Sequence, residues 1–292
     1  MINSGLSILV SRAILNVAVR VVLCLFVAIP AAVALESDWA ETEGGRMRLV
    51  IDPEPRADGA ILGLLDIELD PGWKTYWRDP GSAGIPPTLD FSQSRGVALE
   101  AFKYPAPVRV DDGYAVWAGY TSSVRFPLQL RRTMPGAAEV KAMAFIGICE
   151  KICVPFQAEL SVDLPAESLT SDRSKSMITE AMATLPEAAG QDFGLERASV
   201  ADDQSRIEIV ARLPAFRPGG AAPQLFVAGP EGSAFAQPVL VADEGGQAHW
   251  RVDVERLPAN AGPLDPATID AVITLGQRAM GARLMDAGPH GE

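Results

Sequence analysis

Val140-Lys141-Ala142-Met143-Ala144-Phe145-Ile146-Gly147-Ile148-Cys149-Glu150-Lys151-Ile152-Cys153-Val154-Pro155-Phe156-Gln157-Ala158-Glu159-Leu160-Ser161-Val162-Asp163-Leu164 is the stretch that decides the fold. From Phe156 onward, Phe156, Ala158, Leu160, Val162 and Leu164 alternate with Gln157, Glu159, Ser161 and Asp163. That period of two is the pattern of a strand with one face in a core and the other in water. Val140 to Ile148 reads as a second strand, so Cys149 and Cys153 stand where two strands meet. Residues four apart lie roughly 13 Å from each other in an extended strand and about 6 Å apart in a helix, whereas a disulfide needs β-carbons about 3.8 Å apart. A tight turn must therefore close the pair.

Outward from this stretch, similar alternation occurs at Ile61 to Leu69, Val124 to Leu130, Ile207 to Leu213 and Trp250 to Val254. Asp70-Pro71-Gly72, Asp79-Pro80-Gly81, Met134-Pro135-Gly136 and Gly229-Pro230-Glu231-Gly232 separate the runs, each with the fixed or positive φ that a turn needs. Short strands punctuated in this way predict a mostly β protein with a sandwich rather than a parallel sheet with crossover helices. One stretch departs from the pattern. Met177, Ile178, Ala181, Met182 and Leu185 fall at helical spacing, with Ser171 or Asp172 as cap and Pro186 as stop. The expected organisation is a β-sandwich over 35–166, a linker helix within 167–191, a second, smaller β domain over 192–287 and a tail at 288–292.

The 292 residues are 48% apolar, enough for a sizeable core, and carry a net charge of −12. Nucleic acid and anionic bilayer surfaces repel such a chain, which argues against both as partners. Residues 1–34 read as a secretory signal: Arg12 and Arg20 precede the apolar run from Val21 to Ile29, and Ala32-Val33-Ala34 supplies a small-residue cleavage site. Broken by Pro30, the run falls short of the roughly 20 residues of a membrane span. A periplasmic protein with no stable membrane insertion after cleavage is the expectation. Of the three cysteines, Cys24 leaves with the signal, and Cys149 and Cys153 remain in a compartment that oxidises thiols.

A ring closed over about five residues stabilises folding by roughly 2 kcal/mol, at the low end for disulfides, which suits exchange more than stapling. Taken alone, the spacing fits an inert hairpin clip as well as a redox centre. Lys151 favours a thiolate between the cysteines and Glu150 opposes it. No cofactor is expected. Zinc needs about four nitrogen or sulfur ligands, and the candidates beyond the two thiols are His249, on the polar side of a strand, and His290, in the tail. There is no G-x-S-x-G elbow for a serine hydrolase, and no phosphate-cradling glycine loop between a strand and a helix.

Gly72-Trp73-Lys74-Thr75-Tyr76-Trp77-Arg78-Asp79-Pro80-Gly81, Gly84-Ile85-Pro86-Pro87, Gly119-Tyr120 and Cys149-Glu150-Lys151-Ile152-Cys153-Val154-Pro155 follow one another in the chain. Over roughly residues 40–165 this order resembles the amino-terminal periplasmic domain of DsbD-type thiol:disulfide interchange proteins, including ScsB-type reductases. The resemblance implies an immunoglobulin-like sandwich with a redox-active cysteine pair, and an association with cytochrome c biogenesis. It implies that Cys153 forms the mixed disulfide and Cys149 resolves it. Periplasmic thioredoxin-fold proteins and a membrane electron donor are the implied partners. The DsbD pair is spaced more widely, and this sequence shows no membrane-spanning or thioredoxin-like portion, so the donor is expected to be a separate protein.

By the same resemblance, Trp73 to Gly84 corresponds to the loop that shields the cysteines. Aromatic rings over a small disulfide would exclude other thiols until a partner displaces them. Tyr76 and Trp77 point to opposite faces of a strand, so at most one covers the dithiol, and Tyr76 is the expected cover. Tyr114 and Trp117 are further candidates for the rim, with core packing as the alternative, and Trp73 is expected in the core. A non-catalytic binding or assembly module with a structural disulfide is the competing reading.

Overall fold

The computed structural model describes residues 35–81, 84–111, 113, 115–166, 171–215, 220–258 and 262–284. The expected signal at 1–34, Cys24, Tyr114, His290 and the tail at 288–292 lie outside the described residues.

The first part of the chain forms β1 (Ala40–Thr42), β2 (Gly45–Asp52), β3 (Ala60–Leu69), β4 (Lys74–Tyr76), β5 (Thr88–Asp90), β6 (Val97–Phe102), β7 (Val108–Asp111), β8 (Val116–Tyr120), β9 (Val124–Arg132), β10 (Ala138–Cys149) and β11 (Cys153–Leu164). They build two antiparallel sheets, one ordered β1-β2-β3-β9-β6 and the other β11-β10-β4-β8-β7 with β5 also on β10. The layers close on an apolar core to which β2 gives Leu49 and Ile51, β9 gives Phe126 and Leu128, and β10 gives Val140, Ala142, Ala144 and Ile146. This is the expected immunoglobulin-like sandwich. Gly72, Gly81, Gly136 and Gly232, in the predicted turns, all have positive φ.

The helix α1 (Asp172–Ala183) starts at Ser171, whose side chain accepts from the Ser174 N–H, and ends at Thr184. It is more than a connection. Met177, Ile178 and Ala181 pack on Val50, Leu62 and Leu64 of the outer face of the first sheet. Consequently β3 is buried on both faces over Ala60 to Ile67, where the alternation predicted a half-buried strand. Beneath the helix, the buried Arg48 guanidinium donates to Asp66 at 3.1 Å and also pairs with Glu36.

The remaining strands are β12 (Glu187–Ala188), β13 (Gly194–Val200), β14 (Arg206–Arg212), β15 (Gln224–Ala228), β16 (Ala234–Phe235), β17 (Val239–Glu244), β18 (Gln247–Arg256), β19 (Asp270–Leu275) and β20 (Arg278–Arg283). They form a sheet ordered β12-β20-β19-β15 and a second ordered β13-β14-β18-β16, with β17 on β18. Ile207, Ile209, Trp250, Val252, Ile273 and Met280 fill the core between them. Three residues of this second β region, Phe226, Ala228 and Val272, instead join the core of the first sandwich.

Candidate functional site

β10 and β11 form a long hairpin in register from Ala138↔Leu164 to Cys149↔Cys153. The cysteines are thus directly opposed at its end, where they are joined as a disulfide with their α-carbons 4.1 Å apart. Glu150, Lys151 and Ile152 make the turn that the spacing required, and all three are exposed, Ile152 to 78%. The two sulfurs have unequal surroundings. Cys149 is 1% exposed, whereas Cys153 is an exposed residue.

The burial of Cys149 follows from strand alternation. Ile148 points into the sandwich core, so Cys149 points out of the opposite face, where it packs with Tyr76 and Trp117, flanked by Ile85 and Val110. The same alternation sorts the aromatic residues: Tyr76 takes the dithiol face and Trp77 the core. The Tyr76 hydroxyl lies 3.0 Å from Cys149 Sγ and 3.2 Å from Cys153 Sγ. Its ring meets Trp117 edge-on, with centroids 5.7 Å apart. Lys74, paired in register with Cys149, holds its ammonium 4.6 Å from the centre of the Trp117 ring.

Glycines make room for this arrangement. A β-carbon on Gly147 would sit 2.6 Å from Ile85 Cβ and 3.3 Å from the Tyr76 ring, and one on Gly119 would sit 2.3 Å from the Thr75 carbonyl oxygen. The Thr75 hydroxyl donates to the Gly147 carbonyl at 2.9 Å, tying β4 to β10 beside the disulfide.

Of the residues singled out in the sequence, Cys149, Cys153, Tyr76 and Trp117 converge, and Glu150 and Lys151 occupy the exposed turn. Trp73 is half-buried at the edge of the first core, against Gly44. His249 lies in the second β region, 2.7 Å from Glu208. Among the described residues, no group of three or more His, Cys, Asp or Glu side chains is placed to hold a metal ion. Lys74, Ile85, Gly119 and Gly147 belong to the site and were not singled out as such. Lys74 could have been found from parity, since it shares the strand face of Tyr76. Gly119 stood in the Gly119-Tyr120 motif without a stated role, and Gly147 gave no signal of its own.

The site therefore sets an exposed Cys153 beside a buried Cys149, with one phenolic O–H in contact with both sulfurs. No helix among the described residues is long and apolar enough to cross a membrane.

Residues 50–165 match the family described as "Thiol:disulfide interchange protein DsbD, N-terminal", within the span that the sequence motifs marked out. The crystal structure of the N-terminal periplasmic domain of ScsB from Proteus mirabilis is similar in fold, with a TM-score of 0.62 at 21% identity. The likeness covers 86% of this chain and 98% of that one, so it extends past residue 165 into the second β region. No curated protein matches the sequence.

Proposed function

We propose that this chain, whose residues 50–165 carry the DsbD amino-terminal pattern, is a periplasmic thiol:disulfide interchange protein of the protein-disulfide reductase type. It passes reducing equivalents from a membrane or thioredoxin-like donor to oxidised periplasmic proteins through the Cys149/Cys153 dithiol. In this reading 35–166 is the exchange domain, 167–191 the linking helix segment and 192–287 a second β domain. The observation that carries the proposal is the asymmetry of the disulfide: Cys153 exposed, Cys149 buried, and the Tyr76 hydroxyl touching both sulfurs.

The chemistry balances as two exchanges. A donor thiolate attacks Cys153 Sγ, the Cys149–Cys153 bond breaks, and the electron pair leaves on Cys149 Sγ as a thiolate that the Tyr76 O–H stabilises. The donor's second thiol then displaces Cys153, which leaves the protein as a dithiol and the donor as a disulfide. In the forward half, the Cys153 thiolate attacks an oxidised partner, and one partner sulfur leaves and takes up a proton. Cys149 next attacks Cys153 Sγ, re-forming the ring and releasing the partner as a dithiol. Burial disfavours a bare Cys149 thiolate, and donation from Tyr76 opposes that effect.

Cys149→Ser stops the second exchange and leaves Cys153 attached to its partner. The expected result is a mixed disulfide through Cys153 with a periplasmic thioredoxin-fold protein. The proposal fails if the variant captures no such protein and the wild-type pair stays oxidised in the presence of reduced thioredoxin. A Cys149→Ala/Cys153→Ala double variant that kept its cellular role would point instead to a binding module.

A further inference from the structure

The residues that follow Tyr76 in the chain are fastened to the second β region rather than to the first sandwich alone. Trp77 meets Phe226 of β15 edge-on, with ring centroids 6.0 Å apart. Arg78 Nη2 lies 2.6 Å from Asp270 Oδ2 and donates to the Ala228 carbonyl at 3.3 Å. Ala228 and Asp270 are cross-strand partners at one end of the β15–β19 pair, so a single guanidinium closes that end.

The other wall of the disulfide pocket is fastened in the same way. Arg109 of β7 pairs with Ala118 of β8, next to Trp117. Its guanidinium lies 4.6 Å from the centre of the Phe226 ring and donates to the Leu225 carbonyl at 2.6 Å. Between these anchors is a cavity of about 210 Å³, lined in part by Trp77, Arg109, Trp117, Phe226 and Glu255. Trp117 therefore borders both the cavity and the disulfide cluster.

From this we infer that the second β region acts as a brace for the redox site: Phe226 and Asp270 hold Trp77 and Arg78, and so set the position of the Tyr76 hydroxyl over the two sulfurs. The inference rests on the proposed exchange chemistry and deepens it. The dithiol and its cover all come from the first sandwich, yet β4 is only three residues long. A strand that short makes few ladder hydrogen bonds of its own. Beyond Tyr76 one backbone bond, from the Trp77 N–H to the Ala118 carbonyl at 3.1 Å, continues the pairing with β8, while the side chains at 77 and 78 find partners in the second region. Arg78 and Phe226 are positioning residues in this account, since neither touches a sulfur.

A double-mutant cycle on the full chain tests it, read as the rate of Cys149–Cys153 reduction by dithiothreitol. In the native background, Tyr76→Phe removes the hydroxyl and should slow reduction about tenfold. In an Arg78→Gln background the hydroxyl is already out of place, so the same change should slow reduction less than about threefold. A merely structural ion pair would lower the melting temperature and leave the Tyr76→Phe ratio unchanged. Equal ratios in both backgrounds would overturn the brace. If Arg78→Gln does not fold, Phe226→Leu replaces it with the same expected fall in the Tyr76→Phe ratio. A Tyr76→Phe variant with the wild-type rate would overturn the hydroxyl's role and the brace together. Normal coupling in a protein that reduced thioredoxin cannot reduce would sink the exchange reading and leave the brace standing.

Discussion

Replacing Tyr76 with phenylalanine isolates one oxygen atom. The ring stays in place, keeps its edge contact with Trp117 and still covers Cys149, so packing changes little. What disappears is a donor 3.0 Å from Cys149 Sγ and 3.2 Å from Cys153 Sγ. In the disulfide state the sulfurs are neutral and accept weakly, so the loss in folding stability should stay below about 1 kcal/mol. In the reduced state the acceptor is a thiolate, and hydrogen bonds to charged groups contribute about 1.5–3 kcal/mol. About 1.4 kcal/mol of stabilisation lost from a leaving group in the transition state is a factor of ten in rate. In the proposed exchange Cys149 is the leaving sulfur when Cys153 is attacked, so reduction should slow about tenfold. Stopped-flow reduction, followed by tryptophan fluorescence, measures the rate. A variant that is reduced at the wild-type rate would refute the reasoning.

Gly147→Ala should destabilise the fold by about 1–3 kcal/mol and slow reduction of the disulfide by dithiothreitol, because the new methyl collides with Ile85 and presses on the Tyr76 ring, moving its hydroxyl off the sulfurs; denaturant unfolding and thiol reduction check the two effects. Ile178→Ala, beneath the helix, should cost about 2–4 kcal/mol in urea unfolding while the reduction rate of the disulfide stays at the wild-type value. Burial holds the Asp79 carboxyl above its ordinary range, only partly opposed by the Gly81 N–H and Arg78, and Glu255 adds to the rise. A carboxyl raised on folding favours the fold while it is protonated. That contribution is lost as pH rises through the folded pKa. Asp79→Asn should therefore raise the melting temperature at pH 7, with the gain fading below about pH 4.

Much of the scaffold was legible because alternation is a local signal with a direct cause. Phe156 to Leu164 and Val140 to Ile148 both became strands, and closing the Cys149–Cys153 distance by a turn fixed their pairing. Ser171 and Pro186 marked the helix ends through capping and a missing donor. Parity separated Tyr76 from Trp77, although which face held the sulfurs depended on β10 meeting β4, a contact between distant parts of the chain. The second buried face of β3 was hidden for a similar reason: Leu62 and Leu64 are covered by Met177, Ile178 and Ala181 of a helix that follows more than a hundred residues later. Arg78 and Asp270 carry no mutual signal in their flanking sequence. Gly119 and Gly147 look like ordinary strand breakers until the close approach of Thr75 and Ile85 gives their missing side chains a purpose.

The reduction potential of the Cys149/Cys153 couple tests the exchange account most directly. Equilibration of the full chain against defined thiol:disulfide mixtures should give a value within about −180 to −270 mV, the range of proteins that hand disulfides on. A value below about −300 mV would mark a bond that stays closed, and would contradict it.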